Sequence, residues 1–165
     1  MSSFVFIATN YEMPGIDYTS KKYITVKEAI HLGIEPHELV PWEKMDPNAQ
    51  VLLVENEEDF HELAITKDYS YNVADYTSYP FIYEVNFIFT ELRTERFLQY
   101  LKENMKEGQI VEVWRVWIGH EDDVLSIPYT RYSYEELSLN HLIPLFNWNH
   151  EKYKLQNCLV IEREQ

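Results

Sequence analysis

Between residues 80 and 120 the apolar positions change period twice. In FIYEVNFIF, Phe81, Tyr83, Val85, Phe87 and Phe89 fall on one side of the chain, and Ile82, Glu84, Asn86, Ile88 and Thr90 on the other. Alternation of this kind, carried by aromatic and β-branched residues, predicts a strand. The aromatic side must be buried, because leaving each such side chain in water forfeits roughly 1.5–3 kcal/mol. The period then lengthens. Phe97, Leu98, Leu101 and Met105 recur at helical spacing, with Glu95, Lys102, Glu103 and Lys106 turned outward. Thr90 or Thr94 offers a cap for this helix, and Gly108 stands where a left-handed residue would end it. Residues 110–118 return to strand with apolar residues on both sides: Val111, Val113 and Trp117 on one, Ile110, Trp114, Val116 and Ile118 on the other. Such a strand is expected inside a sheet covered on both faces. Strand, helix and strand over residues 81–118 therefore predict a central, right-handed βαβ unit.

Elsewhere the signals are shorter. Residues 4–9 read as an interior strand and residues 11–22 as a loop containing Pro14 and Gly15. Thr25 and Glu28 form a capping box opening a two-turn helix that Gly33 closes. Pro36, Pro41 and Pro47 forbid a long element over residues 34–48, and residues 51–55 read as strand. Asn56 caps a short acidic helix over residues 59–62, or residues 62–66 form a strand; helix then strand is the preferred order. Residues 68–80, DYSYNVADYTSYP, have no period and read as a loop with room for an edge strand. Ser133 and Glu136 form a second capping box, predicting a helix through Leu137, Leu139, Leu142 and Ile143 that ends near Pro144. A loop over residues 146–154 and a last strand over residues 155–163 complete the chain. No repeat or linker divides it, so the expectation is one α+β domain over residues 1–165, with a mixed sheet of about five or six strands and two or three helices.

Charge narrows the partners. Twenty-eight acidic residues against fourteen basic give a formal net charge of −14, which repels phosphate backbones and anionic membrane surfaces. Nucleic acid and membrane are thus not expected as partners; a basic protein is. No apolar run approaches the roughly 20 residues that span a bilayer, and the short apolar run in MSSFVFIATNYE has no preceding positive charge. It reads as a strand, not a signal peptide, and the expected location is cytoplasmic. Cys158 is the only cysteine, which excludes an intramolecular disulfide; in LQNCLVIERE it reads as a buried, inert thiol.

Chemistry-bearing motifs are sparse. Four scattered glycines make neither a phosphate-binding loop nor a dinucleotide fingerprint, and there is no G-x-S-x-G elbow. His120-Glu121-Asp122-Asp123 would need a further ligand from His61, His141 or His150 to hold a metal. It reads instead as a solvated acidic turn, as His31 and His37 read as surface residues, and no metal or cofactor is expected. Glu84 and Glu112 are lone acids within strong strands, where apolar surroundings would raise a carboxylate pKa. With Arg115 and His120 they define one reading: an enzyme or small-ligand binder with a pocket between sheet and helices.

The preferred reading is non-catalytic. Glu35, Glu38, Glu43, Asp46, Glu55, Glu57, Glu58, Asp59 and Glu62 face only Lys44 in the same stretch. Just after it come Tyr69, Tyr71, Tyr76 and Tyr79 among Ser, Asn and Asp, a composition typical of recognition loops. Acids beside such a loop would steer a basic partner. Glu57, Glu58, Asp59, Tyr69, Tyr71, Tyr76 and Tyr79 are the expected contact residues of a module that sequesters or inhibits a basic protein, as immunity proteins and inhibitors do. The competing account has the acids merely solvated and the tyrosines covering a sheet. A homo-oligomer using the tyrosine loop as its self-contact is a third.

Overall fold

The computed structural model describes residues 3–67, 69, 71–117, 119, 126–147 and 156–165. Its elements run β1 (Ser3–Thr9), β2 (Ile16–Asp17), β3 (Lys21–Thr25), α1 (Val26–His31), β4 (Gln50–Val54), β5 (Ala64–Thr66), β6 (Phe81–Asn86), α2 (Glu91–Asn104), β7 (Ile110–Trp117), β8 (Tyr129–Ser133), α3 (Leu139–Phe146) and β9 (Asn157–Glu162). Short 3-10 turns occupy Trp42–Lys44 and Glu57–His61. The chain is α+β: a mixed sheet of seven strands ordered β2-β5-β6-β1-β7-β9-β8, a second sheet of β3 and β4, and three α-helices among the described residues. The main sheet is wider than expected because β2 and β8 are short edge strands without an alternating apolar signal.

The chain forms two compact units, Met1–Tyr18 with His61–Gln165, and Thr19–Phe60. In the first, β6, α2 and β7 form the expected strand–helix–strand unit, but its strands are not neighbours. β1 lies between them, antiparallel to both, with Val5 opposite Val85 on one side and Arg115 on the other. The crossover is therefore a split βαβ, closed by the N-terminal strand. β1 can take that place because it is apolar on both faces; Phe6, Ile7 and Ala8 are fully buried.

The two faces are covered differently. One carries Val5, Ile7, Tyr83, Val85, Val111, Val113, Leu159 and Ile161 against Phe97, Tyr100, Leu101 and Met105 of α2 and Leu142, Leu145 and Phe146 of α3. The other carries Phe6, Ala8, Trp114, Val116, Cys158 and Val160, and is covered by Val73, Tyr76 and Ile127 from loops. At the α2–β7 turn a buried polar cluster ties three strands together. Gln109 donates to Thr9 Oγ1 at 2.9 Å and accepts from the Lys106 amide at 2.8 Å, and Thr9 Oγ1 donates to the Ile110 carbonyl at 2.7 Å. Arg163 and Gln109 add a backbone bond of 2.9 Å from β9's end. Buried amides and hydroxyls satisfied this fully carry no desolvation penalty.

Local expectations fare unevenly. Thr90 caps α2 through the Arg93 amide at 3.1 Å, and the Thr25–Glu28 box forms in both directions. Gly108, however, does not end α2, which stops at Asn104; its positive φ of 76° serves the tight turn into β7, where its amide bonds the Arg163 carbonyl at 2.7 Å. The Ser133–Glu136 bonds also form, at 3.2 and 3.3 Å, but they frame a single turn. The helix starts later, at Leu139, and runs past Pro144 to Phe146. Proline at the sixth position removes the amide bond to Asn140 and crowds that carbonyl, a cost offset in a helix whose apolar side is anchored by Leu142, Leu145 and Phe146. The expected turn at residues 121–123, and most of the loop at 146–154, lie outside the described residues.

The second unit consists of α1 packed on the antiparallel pair β3–β4, with Tyr23 opposite Leu52 and Ile24 opposite Val51. A Ser20 hydroxyl to Asp59 bond of 2.8 Å closes its neck. In the first unit, the ends flanking this insertion are already side by side: Ile16 pairs with Ile65, Asp17 with Ala64, and the Tyr18 amide donates to the Leu63 carbonyl at 3.0 Å. An insertion between paired strand ends adds little loop-closure cost to the sheet that carries it. Replacing residues 19–60 with Asn-Gly should therefore leave a four-residue hairpin loop and a cooperatively folded sheet protein. Far- and near-ultraviolet circular dichroism with a thermal melt checks this; a molten or unfolded product would show that the sheet needs the insert.

Candidate functional site

The seven expected contact residues divide between the two units. Glu57, Glu58 and Asp59 belong to the Thr19–Phe60 unit, and the four tyrosines to the other. Glu57 and Glu58 are solvent-exposed on the 3-10 turn, whereas Asp59 is half-buried and spends a carboxylate oxygen on Ser20. Of the tyrosines only Tyr69 is exposed. Tyr71 packs at a tilt of 31° against Phe4 with ring centroids 4.6 Å apart, and Tyr76, 8% exposed, sits edge-on to Phe6 at 5.9 Å and to Trp114 at 5.7 Å. Tyr79 is half-buried on the same cluster, and burial, then the nearby Glu112 charge, raise its phenol pKa. The side chain of Tyr76 is thus core, and Tyr71 and Tyr79 are largely cover; among the described residues no helix packs on the second sheet face, which needs their rings. Glu62, counted in the acidic run, is also internally committed, bonding Arg93 Nε at 3.0 Å and Arg96 Nη1 at 2.7 Å.

Of the residues of the small-ligand reading, Glu84 and Arg115 line one cleft, Glu112 does not, and His120 lies outside the described residues. Register places Glu84 and Glu112 on the face of Phe6 and Trp114, and Arg115 on the helix-covered face with Val5 and Val113. Glu112 accepts from Trp114 Nε1 at 2.9 Å. Arg115 donates to the Leu145 carbonyl and to Ser3 Oγ, and desolvation lowers its pKa to about 10. Glu84 and Arg115 do reach one cleft of about 380 Å³ at the strand ends, walled by Phe4, Phe87, Phe89 and Phe146. His120 and His150 lie outside the described residues. His61 is exposed, and His141 stacks on Tyr132 with its Nδ1 accepting from the Ser138 amide at 3.2 Å. Among the described residues no three His, Cys, Asp or Glu side chains are grouped to hold a metal ion, and no helix is long and apolar enough to cross a membrane.

What sequence reasoning missed is the apolar exposure of the inserted unit. Tyr23, Ile30, Leu32, Leu39, Val40 and Leu52 are all exposed, Leu39 the most at 84%. Single exposed apolar residues are ordinary; here Tyr23 and Leu52 are cross-strand partners and Leu39 and Val40 adjoin in sequence, so each pair exposes more than one apolar side chain together. Charge surrounds them. Glu35, Glu38, Glu43, Glu57 and Glu58 are exposed and make no ion pair among the described residues. A signal was available in the sequence: the pair Leu39-Val40 sits between two prolines, where no helix or strand period could bury it.

Two measurements follow from this placement. Tyr76→Ala should cost about 3–5 kcal/mol in urea unfolding, as large aromatic truncations in a core do, while Tyr69→Ala should stay within about 0.5 kcal/mol. Equal, small losses at both would mean the loop does not cover the sheet. Cys158, 2% exposed, has its thiol pKa pushed well above the ordinary value by burial and then by Glu112. Below about pH 9 the thiol is protonated in both states and its contribution is fully present; above it only the unfolded chain releases the proton, so stability falls as pH rises. Urea unfolding at about pH 8 and about pH 10 should show that decline, partly flattened in Cys158→Ala, and Ellman's reagent should label Cys158 only in denaturant. In comparisons with known proteins, no family model, no curated protein and no solved structure matches the chain.

Proposed function

We propose that the protein is a non-catalytic module that binds, and thereby sequesters or inhibits, a basic protein. The observation that carries this is the unpaired acid of the inserted unit: Glu35, Glu38, Glu43, Glu57 and Glu58 are exposed and make no ion pair among the described residues. In the inserted unit nine acids stand against four lysines, and Lys22–Glu55 is its one described ion pair. Exposed like charges repel one another and raise the free energy of the unliganded state. A cationic partner removes that repulsion and is drawn in by it, which raises its association rate. Glu112 does not line the cleft that Glu84 and Arg115 share, and accepts from Trp114 Nε1 on the sheet face opposite Arg115 instead.

Affinity purification of the full chain from its native cells at low salt should recover a protein of basic isoelectric point. Calorimetry on the purified pair should then show affinity falling steeply between about 50 and about 500 mM salt, as the Debye length contracts. A neutral or acidic partner, an affinity indifferent to salt, or no partner at all would overturn the proposal.

A further inference from the structure

Residues 35–43, EPHELVPWE, leave the compact part of the inserted unit and return to it without forming a helix or strand long enough to bury anything. The loop is nevertheless braced. Trp42 Nε1 donates to the Ile34 carbonyl at 2.9 Å across its base, and the Val40 amide donates to the His37 carbonyl at 2.9 Å. The Leu39 amide is taken by His37 Nδ1 at 3.2 Å, and Pro36 and Pro41 fix φ on either side. Every internal bond thus goes to holding the backbone, while the side chains of Leu39 and Val40 point to solvent at 84% and 46% exposure. Glu35 and Glu38 precede the apolar pair and Glu43 follows it, all exposed.

We infer that residues 35–43 are the segment this protein inserts into its partner. Leu39 and Val40 are the apolar anchor, and Glu35, Glu38 and Glu43 are the contacts to a cationic rim. This rests on the binding reading above and assigns it a surface. The tip is convex, so its complement is a recess, and the flanking carboxylates require lysine or arginine around the mouth of that recess. A second copy of the chain is a poor occupant: at a net charge of −14 it would bring carboxylates against carboxylates. Bracing by Trp42 and the prolines means that little backbone freedom remains to be lost on docking, which is how rigid inhibitor loops gain affinity without added area.

The test uses the full chain with Leu39 replaced by the photo-cross-linker p-benzoylphenylalanine, expressed in its native cells. The control carries the same group at Leu92, which is 62% exposed on α2 of the other unit. Cross-linking from position 39 to a protein of basic isoelectric point, and not from position 92, is the expected result. Leu39→Asp should then weaken calorimetric binding of that purified protein at least about tenfold, as loss of a central anchor does, with an unchanged melting temperature. Cross-linking from position 92 alone, or a loss under about threefold, would leave the binding function standing and overturn the assignment to this loop. No cross-link at either position would overturn both, and a cross-link to a second copy or to an acidic protein would overturn the partner class.

Discussion

A sheet that is apolar on both faces must be covered twice, and the helices among the described residues cover one side. α2 and α3 pack on the Val5, Val85 and Val113 face. The other face holds Phe6, Trp114, Val116 and Val160, and each of these side chains is worth roughly 1.5–3 kcal/mol when removed from water. Loop residues Val73, Tyr76 and Ile127 supply the cover, with Tyr79 and Phe4 at its margin. Tyrosine suits that duty because its ring packs while its hydroxyl can stay at a wet edge. The aromatic density of residues 69–79 follows from this constraint before any question of recognition arises.

The same constraint explains why the N-terminal strand sits in the middle. Only a segment apolar on both sides can lie between β6 and β7, and residues 5–8 meet that requirement. Its pairing is distant in sequence: the Thr9 hydroxyl and the Ile110 carbonyl are 101 residues apart. Contacts at such separation are slow to form. The Gln109–Thr9–Asn10 cluster fixes the register where it matters, since Asn10 Oδ1 accepts from the Ile110 amide at 2.9 Å and a slip of one residue would turn every core side chain to the wrong face.

Fold was legible where period and caps agreed. Thr25 with Glu28, Thr90 ahead of α2, and the alternation of residues 81–86 were readable because each is a local device whose geometry depends on its own few residues. Edge strands were not, since Tyr129–Ser133 has three exposed residues in five and no apolar side to announce it. The Ser133–Glu136 box misled because its hydrogen bonds close a lone turn as readily as they start a helix. Strand order, which split the crossover, depends on residues a hundred positions apart. For the site, composition singled out tyrosines and acids, but it cannot say which sheet face the described helices leave uncovered. That one fact separates Tyr76, a core residue, from Tyr69, a surface one.

Scaffold and surface are consequently divided between the units. The sheet-bearing unit spends most of its aromatic residues on closing its own core. In the inserted unit exposed apolar side chains stand in water beside carboxylates, among which Glu55 with Lys22 is the one described ion pair. Such a combination separates two terms of recognition. In the binding function proposed above, charge would act at long range, within a Debye length of about 8 Å at physiological salt, and would set how often a basic partner arrives. An apolar tip acts only in contact and governs how long the partner stays. Neither term asks anything of the sheet except that it hold the ends of the insertion together, which the β2–β5 pairing already does.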